Sequence, residues 1–316
     1  IALRHGLTVQ LTTGEQYPVD ADAEVVVMAT DTRGGNEQEA RLVMQHIMRQ
    51  MGECSPIPLL YKKTDSVLRG HISAELQEIM AATGWTKTLL LAQNPSKGRV
   101  ISDGRYSING TLLDETPFSF DPEFPARSHL VQRLVGRGKP LAVDAPLTDG
   151  INIADATSVE DIRRQLDKAD SCTLLAGGAD CFDALLNMHF NERVGITRDV
   201  KLSAEGHTII ICGSTQSRPL LQEPYIQRIG AVEITMPHEV FHGACTPEAW
   251  IETLCQAYRR HGAIIVAIGH EATGGKAYAV RLRRLMAQAA QALVAVASPT
   301  TMIVEGGATA YAVLQQ

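Results

Sequence analysis

No run in the 316-residue chain is long and apolar enough to cross a membrane, and no stretch reads as a secretory signal peptide, so no membrane partner is expected. Basic residues are in deficit. The formal net charge of -6 argues against a general nucleic-acid or anionic-membrane partner, and leaves room for a small anion held in a local basic pocket. The six cysteines, Cys54, Cys172, Cys181, Cys212, Cys245 and Cys255, form no C-x-x-C pair and no zinc-finger spacing. Several sit in apolar runs such as Ile209-Ile210-Ile211-Cys212, so buried free thiols and a reducing, cytoplasmic setting are expected. A G-x-G-x-x-G turn is missing as well, which removes the usual mark of an NAD-linked dehydrogenase. There is no internal repeat and no low-complexity tract.

What is present is ordinary for a soluble globular protein: 45% hydrophobic and 20% charged residues, in a length that suggests two domains. Both ends fall inside elements. Ile1 to Gly6 reads as the tail of a helix with Gly6 as its stop, and Ala308 to Gln316 as a helix just begun. A first strand and some closing elements are therefore expected outside this chain.

The densest chemistry lies in Lys62-Lys63-Thr64-Asp65-Ser66-Val67-Leu68-Arg69-Gly70-His71. The apolar run Ile57 to Tyr61 before it reads as a strand. Ile72, Leu76, Ile79 and Met80 after it share one face of a helix. Cations, a carboxylate and a hydroxyl thus gather where α/β proteins bind ligands, at the carboxyl end of a strand and the amino end of a helix. The alternative is a solvated polar loop.

Around this motif the pattern alternates. Strands are expected at Thr8 to Leu11, Glu24 to Ala29, Thr88 to Ala92, Leu141 to Asp144 and Thr173 to Ala176. Helices are expected at Glu37 to Met51, Ile72 to Ala82, Val159 to Lys168 and Asp180 to Phe190. Apolar strands alternating with helices imply a mostly parallel sheet covered on both faces. The segment Asn94 to Pro125 breaks the rhythm, and Asn109-Gly110 within it signals a hairpin, as in a functional loop or lid. A polar stretch from Asn191 to Gly206 places a domain boundary near residue 200. The pattern then restarts, with strands at Thr208 to Cys212, Val232 to Met236, Ala263 to Ile268 and Thr301 to Val304, and helices at Pro247 to Arg260 and Val280 to Val296.

Two glycine-bearing turns in the second half each join a strand to a helix: Gly213-Ser214-Thr215 and Glu305-Gly306-Gly307-Ala308-Thr309. Glycine lets the backbone approach an anion, and Ser214, Thr215 and Thr309 add donors for phosphate oxygens. A tight turn without a ligand is the alternative for each. Asp31-Thr32-Arg33 ends its own strand and could share a sheet edge with the Lys63 motif. Arg33, Lys63 and Arg69 suit a carboxylate. Asp31 and Asp65 could accept from sugar hydroxyls, or one could act as a base, or either could be a structural Asp–Arg pair.

Two other motifs carry less. His238-Glu239-Val240-Phe241-His242 matches H-E-x-x-H, but Pro237 and Gly243 leave little helix to hold two zinc ligands, and no metal site is expected. Gly269 to Ala277 fails the phosphate-loop rule, since His270 stands where a glycine is needed and Ala277 replaces the hydroxyl. It reads as a flexible loop flanking a nucleotide.

Lys63 to His71 resembles the K-x-D-S-T-L-R-G-[NH] signature of the four-carbon acid sugar kinases, with Val67 in place of the usual Thr. The resemblance continues through Asp31-Thr32-Arg33, Pro95 to Arg99, Gly104, Gly110, Thr116-Pro117-Phe118 and Asp121-Pro122. It extends to Gly213-Ser214, similar to the family's G-S-x-S, and to Glu305 to Ala310, similar to its G-G-[ED]-T-A turn.

The resemblance implies an α/β protein of two domains, each a mostly parallel sheet flanked by helices, with the active site in the cleft between them and domain closure excluding water. Residues 1–200 would bind the sugar acid and residues 201–316 the nucleotide. ATP with Mg2+ would phosphorylate the 4-hydroxyl of D-threonate, D-erythronate or 3-oxo-tetronate, and a homodimer is the expected assembly. Asp31, Thr32, Arg33, Lys63, Ser66, Arg69 and Arg99 would bind the acid, and Asp65 would orient its hydroxyl. Ser214, Gly306, Gly307, Ala308 and Thr309 would hold the nucleotide. The family's A-D-D-x-T-G and K-S-G-G-F-G turns are absent, and the missing Asp-Asp turn is an equal candidate for the base. A non-catalytic sugar-acid sensor is the rival reading.

Overall fold

The computed structural model describes residues 1–13, 22–52, 59–121, 124–190, 206–213, 223–270 and 275–315. The chain divides into two compact units, Ile1–Thr197 and Arg198–Gln316.

The first unit contains β1 (Val9–Thr13), β2 (Val25–Ala29), α1 (Glu37–Gly52), β3 (Tyr61–Lys63), α2 (Ile72–Thr83) and β4 (Lys87–Leu91). It continues with β5 (Arg99–Ser102), β6 (Arg105–Ile108), β7 (Thr111–Leu112), α3 (Val131–Val135), β8 (Lys139–Leu141), β9 (Gly150–Ala154), α4 (Val159–Leu166), β10 (Thr173–Gly177) and α5 (Ala179–His189). Five strands form a parallel sheet in the order β3-β10-β4-β9-β8, and β1 and β2 form a separate parallel pair.

The central strand β4 shows why the sheet is buried on both faces. Leu89 and Leu91 pack with Ile162 and Leu166 of α4 and Leu185 of α5. Leu90 packs on the other face with Met44 of α1 and with Ile72, Leu76 and Ile79 of α2. Burying each of these leucines contributes roughly 1.5–3 kcal/mol. Local signals set the ends of the helices. Ser158 and Asp161 form a reciprocal capping box at α4, and Gly84, in the left-handed conformation at φ 72°, stops α2.

The excursion after β4 is a three-stranded antiparallel sheet, β5-β6-β7. Both of its turns have two successive residues with positive φ, Asp103-Gly104 and Asn109-Gly110, as type I′ hairpins demand.

Some expectations shift. Residues 57 and 58 of the strand expected at Ile57 to Tyr61 lie outside the described residues; the described strand is Tyr61–Lys63, because pairing with β10 runs through Lys63. The strand expected at Leu141 to Asp144 is Lys139–Leu141. Strand β9 escaped the pattern because Asn152 sits at its centre, buried, with its amide donating to the carbonyls of Thr88, Thr148 and Gly150.

The second unit contains β11 (Thr208–Cys212), α6 (Pro224–Ile229), β12 (Val232–Thr235), α7 (His238–His242), α8 (Glu248–His261), β13 (Ala263–Ala267), α9 (Lys276–Val296), β14 (Thr301–Glu305) and α10 (Gly307–Leu314). Its parallel sheet has the order β12-β13-β11-β14. In β11, Ile209 and Ile211 face Trp250 and Leu254 of α8 and Met286 of α9, while Ile210 and Cys212 face Ile226 of α6. Each unit is thus a parallel sheet flanked by helices. No helix among the described residues is long and apolar enough to cross a membrane.

One close approach in the first unit fixes a residue type. A Cβ added at Gly177, the last residue of β10, would lie 2.2 Å from the carbonyl oxygen of Leu91 in β4. The obstacle is backbone, so it cannot turn aside. Gly177→Ala is expected to cost about 1–3 kcal/mol of stability, read as a lowered urea midpoint. An unchanged midpoint would mean that β4 and β10 separate at their carboxyl ends without cost.

Candidate functional site

The β3–α2 connection is held at its start by the sheet and in its middle by the core. The Thr64 amide donates to the carbonyl of Gly177 at 2.9 Å. Val67 and Leu68 are almost fully buried and pack into the α1–α2 side of the core. Leu68 takes a left-handed φ of 62° and Gly70 a φ of 97°. The buried leucine side chain secures a backbone conformation that a non-glycine residue otherwise avoids. Val67 therefore serves as core, and its replacement of a hydroxyl residue alters packing more than any surface offered to a ligand.

With its apolar residues turned inward, the loop gathers its polar ones around Asp65. Oδ1 of Asp65 accepts from the amide of Val67 at 3.0 Å and from Nε of Arg69 at 3.1 Å. Oδ2 accepts from Nη2 of Arg69 at 2.8 Å and Nη1 of Arg33 at 3.3 Å. Burial pushes the carboxyl pKa up. The bonds and charge of Arg69, the Val67 amide and the charge of Arg33 outweigh it and hold the group below the usual carboxylate range. Burial likewise lowers the Lys63 ammonium, against the pull of Asp65. That ammonium donates to the Thr64 carbonyl at 2.6 Å.

The hairpin excursion adds a second layer. Nη1 of Arg69 donates to Asp121 at 2.7 Å. Arg99 donates to the Ser66 hydroxyl, and the buried Tyr106 hydroxyl donates to the Ser66 carbonyl. The guanidinium groups of Arg69 and Arg99 each lie 5.6 Å from the ring centroid of Phe118.

The β2–α1 connection meets this loop. Asp31 is exposed with a left-handed φ of 45°, and Thr32 to Gly34 form a short 3-10 turn. The Thr32 hydroxyl is buried and donates to Glu75 of α2 at 2.6 Å. His71 bonds the carbonyl of Gly35 at 3.0 Å. A Cβ on Gly70 would meet Arg33 at 3.3 Å, so the glycine leaves room for that side chain. The structure thus brings together Thr32, Arg33, Lys63, Asp65, Ser66, Arg69 and Arg99, with Asp31 beside them on the same turn.

Asp121, Tyr106, Phe118 and Glu75 were not singled out as site residues from the sequence. Asp121 and Phe118 lie in the excursion, where loop residues carry no periodicity. Tyr106 follows from hairpin register, since the Asn109-Gly110 turn sets which residues of β6 face inward.

In the second unit, β11 and β14 are neighbours and end side by side, with Cys212 opposite Glu305. The Gly213 amide donates to the Glu305 carbonyl at 3.1 Å. A Cβ on Gly213 would fall 1.9 Å from the Thr309 hydroxyl oxygen, so the two turns interlock. Gly306, at φ 96°, begins α10 without a side-chain cap, and open space lies over Gly307. Such a start leaves the first helix amides available to an anion. Ser214 and Thr215 lie outside the described residues, as do residues 271–274 of the loop expected to flank the nucleotide.

The H-E-x-x-H segment is a five-residue helix between Pro237 and Gly243. The rings of its exposed His238 and His242 lie tilted against each other, 4.2 Å between centroids. Among the described residues the cysteines are free, and burial pushes the Cys181 and Cys212 thiols up to about 12. Cys54 lies outside them.

Asp65 gives this site a signature in acid. Its folded pKa is depressed, so its contribution to stability is present above the unfolded value of about 4 and is lost as pH falls through the lower folded value. Asp65→Asn is expected to destabilise the protein at pH 7 and to flatten the loss of stability below about pH 4. Equilibrium unfolding from pH 2 to 7 reads both. Parallel curves for the two proteins would contradict the ion-pair geometry.

A family model described as "Sugar-binding N-terminal domain" matches residues 2–214. A D-threonate kinase from Salmonella typhimurium is 30% identical over 185 residues, covering 52% of this chain and 44% of that protein. A 3-oxo-tetronate kinase from Brucella melitensis is 24% identical over 234 residues, covering 66% of this chain and 54% of that protein. The chain spans about half the length of these curated relatives. A solved structure from Salmonella typhimurium LT2 aligns with a TM-score of 0.73 at 18% identity, over 99% of this chain and 83% of that one, which shows a shared fold. The basic wall around Asp65 lies within the matched domain, and the chain belongs to the four-carbon acid sugar kinase family.

Proposed function

We propose that the protein is an ATP-dependent kinase that phosphorylates the 4-hydroxyl of a four-carbon sugar acid, D-threonate or D-erythronate foremost, or 3-oxo-tetronate. The observation that carries this reading is the convergence of Arg33, Lys63 and Arg69 around one half-buried carboxylate, with Arg99 on the hydroxyl of the adjacent Ser66. It sits in a domain whose relatives include a D-threonate kinase and a 3-oxo-tetronate kinase.

The charges have separate tasks. Arg69 already spends donors on Asp65 and Asp121, so it is a frame more than a free hand. Arg33 makes one long contact with Asp65, and Lys63 bonds a neighbouring carbonyl, so these two are better placed to take the carboxylate of the acid. Asp31, Ser66 and Arg99 would receive its hydroxyls, and the Thr32 hydroxyl is engaged with Glu75. Asp65, held ionised between two guanidinium groups, is a weak base. Orienting the reacting hydroxyl is the task open to it, and phosphoryl transfer through a loose transition state asks for little more.

Gly306, Gly307, Ala308 and Thr309, with Ser214, would hold the nucleotide phosphates. The open start of α10 and its interlock with Gly213 fit that use. Mg2+ would accompany the nucleotide and neutralise phosphate charge, needing few protein ligands.

An assay of ADP release with D-threonate, D-erythronate and 3-oxo-tetronate tests the proposal. ADP formation dependent on one of the acids is expected. Tight acid binding with no ADP from any of them would instead identify a sugar-acid sensor. Arg33→Ala is expected to raise KM for the acid roughly 10- to 100-fold, the worth of one charge-assisted contact. KM for ATP should stay unchanged.

A further inference from the structure

One buried charge in the first unit has no part in the reading above. Glu75 lies on α2, inside a helix whose Ile72, Leu76 and Ile79 belong to the apolar core. Its carboxylate is 8% exposed and both oxygens are used at short range. Oε1 accepts from the Thr32 hydroxyl at 2.6 Å, and Oε2 pairs with the Lys62 ammonium of β3 at 2.6 Å. A buried ion pair is costly to desolvate, and an apolar pair of similar volume often serves stability as well or better. Stability alone therefore does not account for a carboxylate here.

Its neighbours suggest what it does. Thr32 stands between Asp31 and Arg33, on a turn that ends the small β1–β2 pair and has no strand pairing with the five-stranded sheet. Bonds that join that turn to the β3–α2 segment include these. The Arg33–Asp65 contact is long at 3.3 Å, and the His71–Gly35 bond is 3.0 Å. The Thr32–Glu75 bond is shorter than both and is buried. A charged acceptor makes this bond strong, and Lys62 keeps that acceptor charged and fixed in place.

We infer that Glu75, held by Lys62, is a positioning residue that sets where Arg33 meets the sugar acid, acting through the hydroxyl of Thr32. The inference rests on the sugar-acid reading of the site. Thr32 then contributes by being held, and need not touch the ligand.

Calorimetric titration of D-threonate and D-erythronate into the purified protein tests this, with variants at both ends of the link. Thr32→Val is expected to weaken acid binding at least tenfold, and Thr32→Ser to restore it. The double variant Lys62→Met with Glu75→Leu is expected to weaken binding as much while its thermal midpoint stays near that of the wild type. Adding Thr32→Val to the double variant should then cost nothing further, because the link is already cut. If the double variant fails to fold, Glu75→Met, which removes the acceptor of the Thr32 hydroxyl, replaces it in the same cycle. Full affinity in Thr32→Val, or additive losses in the combined variant, would overturn the inference while leaving the kinase reading intact. A wild-type protein that binds no four-carbon acid would overturn both.

Discussion

The site depends on the carboxylate of Asp65. Five hydrogen-bond donors from two guanidinium groups and two backbone amides converge on its two oxygens. Without that charge, Arg33 and Arg69 would repel each other in a half-buried setting, and Arg33 would lose its ion pair while Arg69 kept only Asp121. With it, the pair becomes a fixed electropositive surface. The concentration of cations needed to hold a small acid is thereby reconciled with a chain whose net charge is negative.

The rest of the first unit supplies the conditions for that arrangement. Val67 and Leu68 anchor the loop in the core, so the residues between them and the helix face outward. Gly70 clears space for Arg33. The hairpin excursion brings Asp121, Phe118, Arg99 and Tyr106 against the loop from outside. The excursion therefore acts as a buttress for Arg69 and Ser66. In the second unit the same economy recurs. Adjacent parallel strands end together, and the glycine of one turn makes room for the threonine of the other.

The two glycine turns were legible because each reads in the sequence as a strand–turn–helix junction, a local feature. Their meeting required the strand order, since β11 and β14 are far apart in the chain and become neighbours only in the sheet. Thr32 illustrates the limit more sharply. As a hydroxyl beside Asp31 and Arg33 it reads as a ligand group. The fold shows its hydroxyl turned onto a buried glutamate 43 residues later.

The sequence by itself determined what local physics controls. The alternation of apolar strands and amphipathic helices set the class of fold. Asn109-Gly110 set a hairpin turn through its tolerance of positive φ, and the charged motif was placed at a strand-to-helix junction. Tertiary structure decided what depends on distant partners. It centred β9 on a buried Asn152 whose amide is satisfied by three carbonyls. It carried the strand before the motif through Lys63, where pairing with β10 is available. It also joined Arg69 to Asp121, 52 residues away. Hydrogen bonds and ion pairs between side chains leave no periodic trace in a sequence, because their geometry exists only once the sheet has brought its strand ends together.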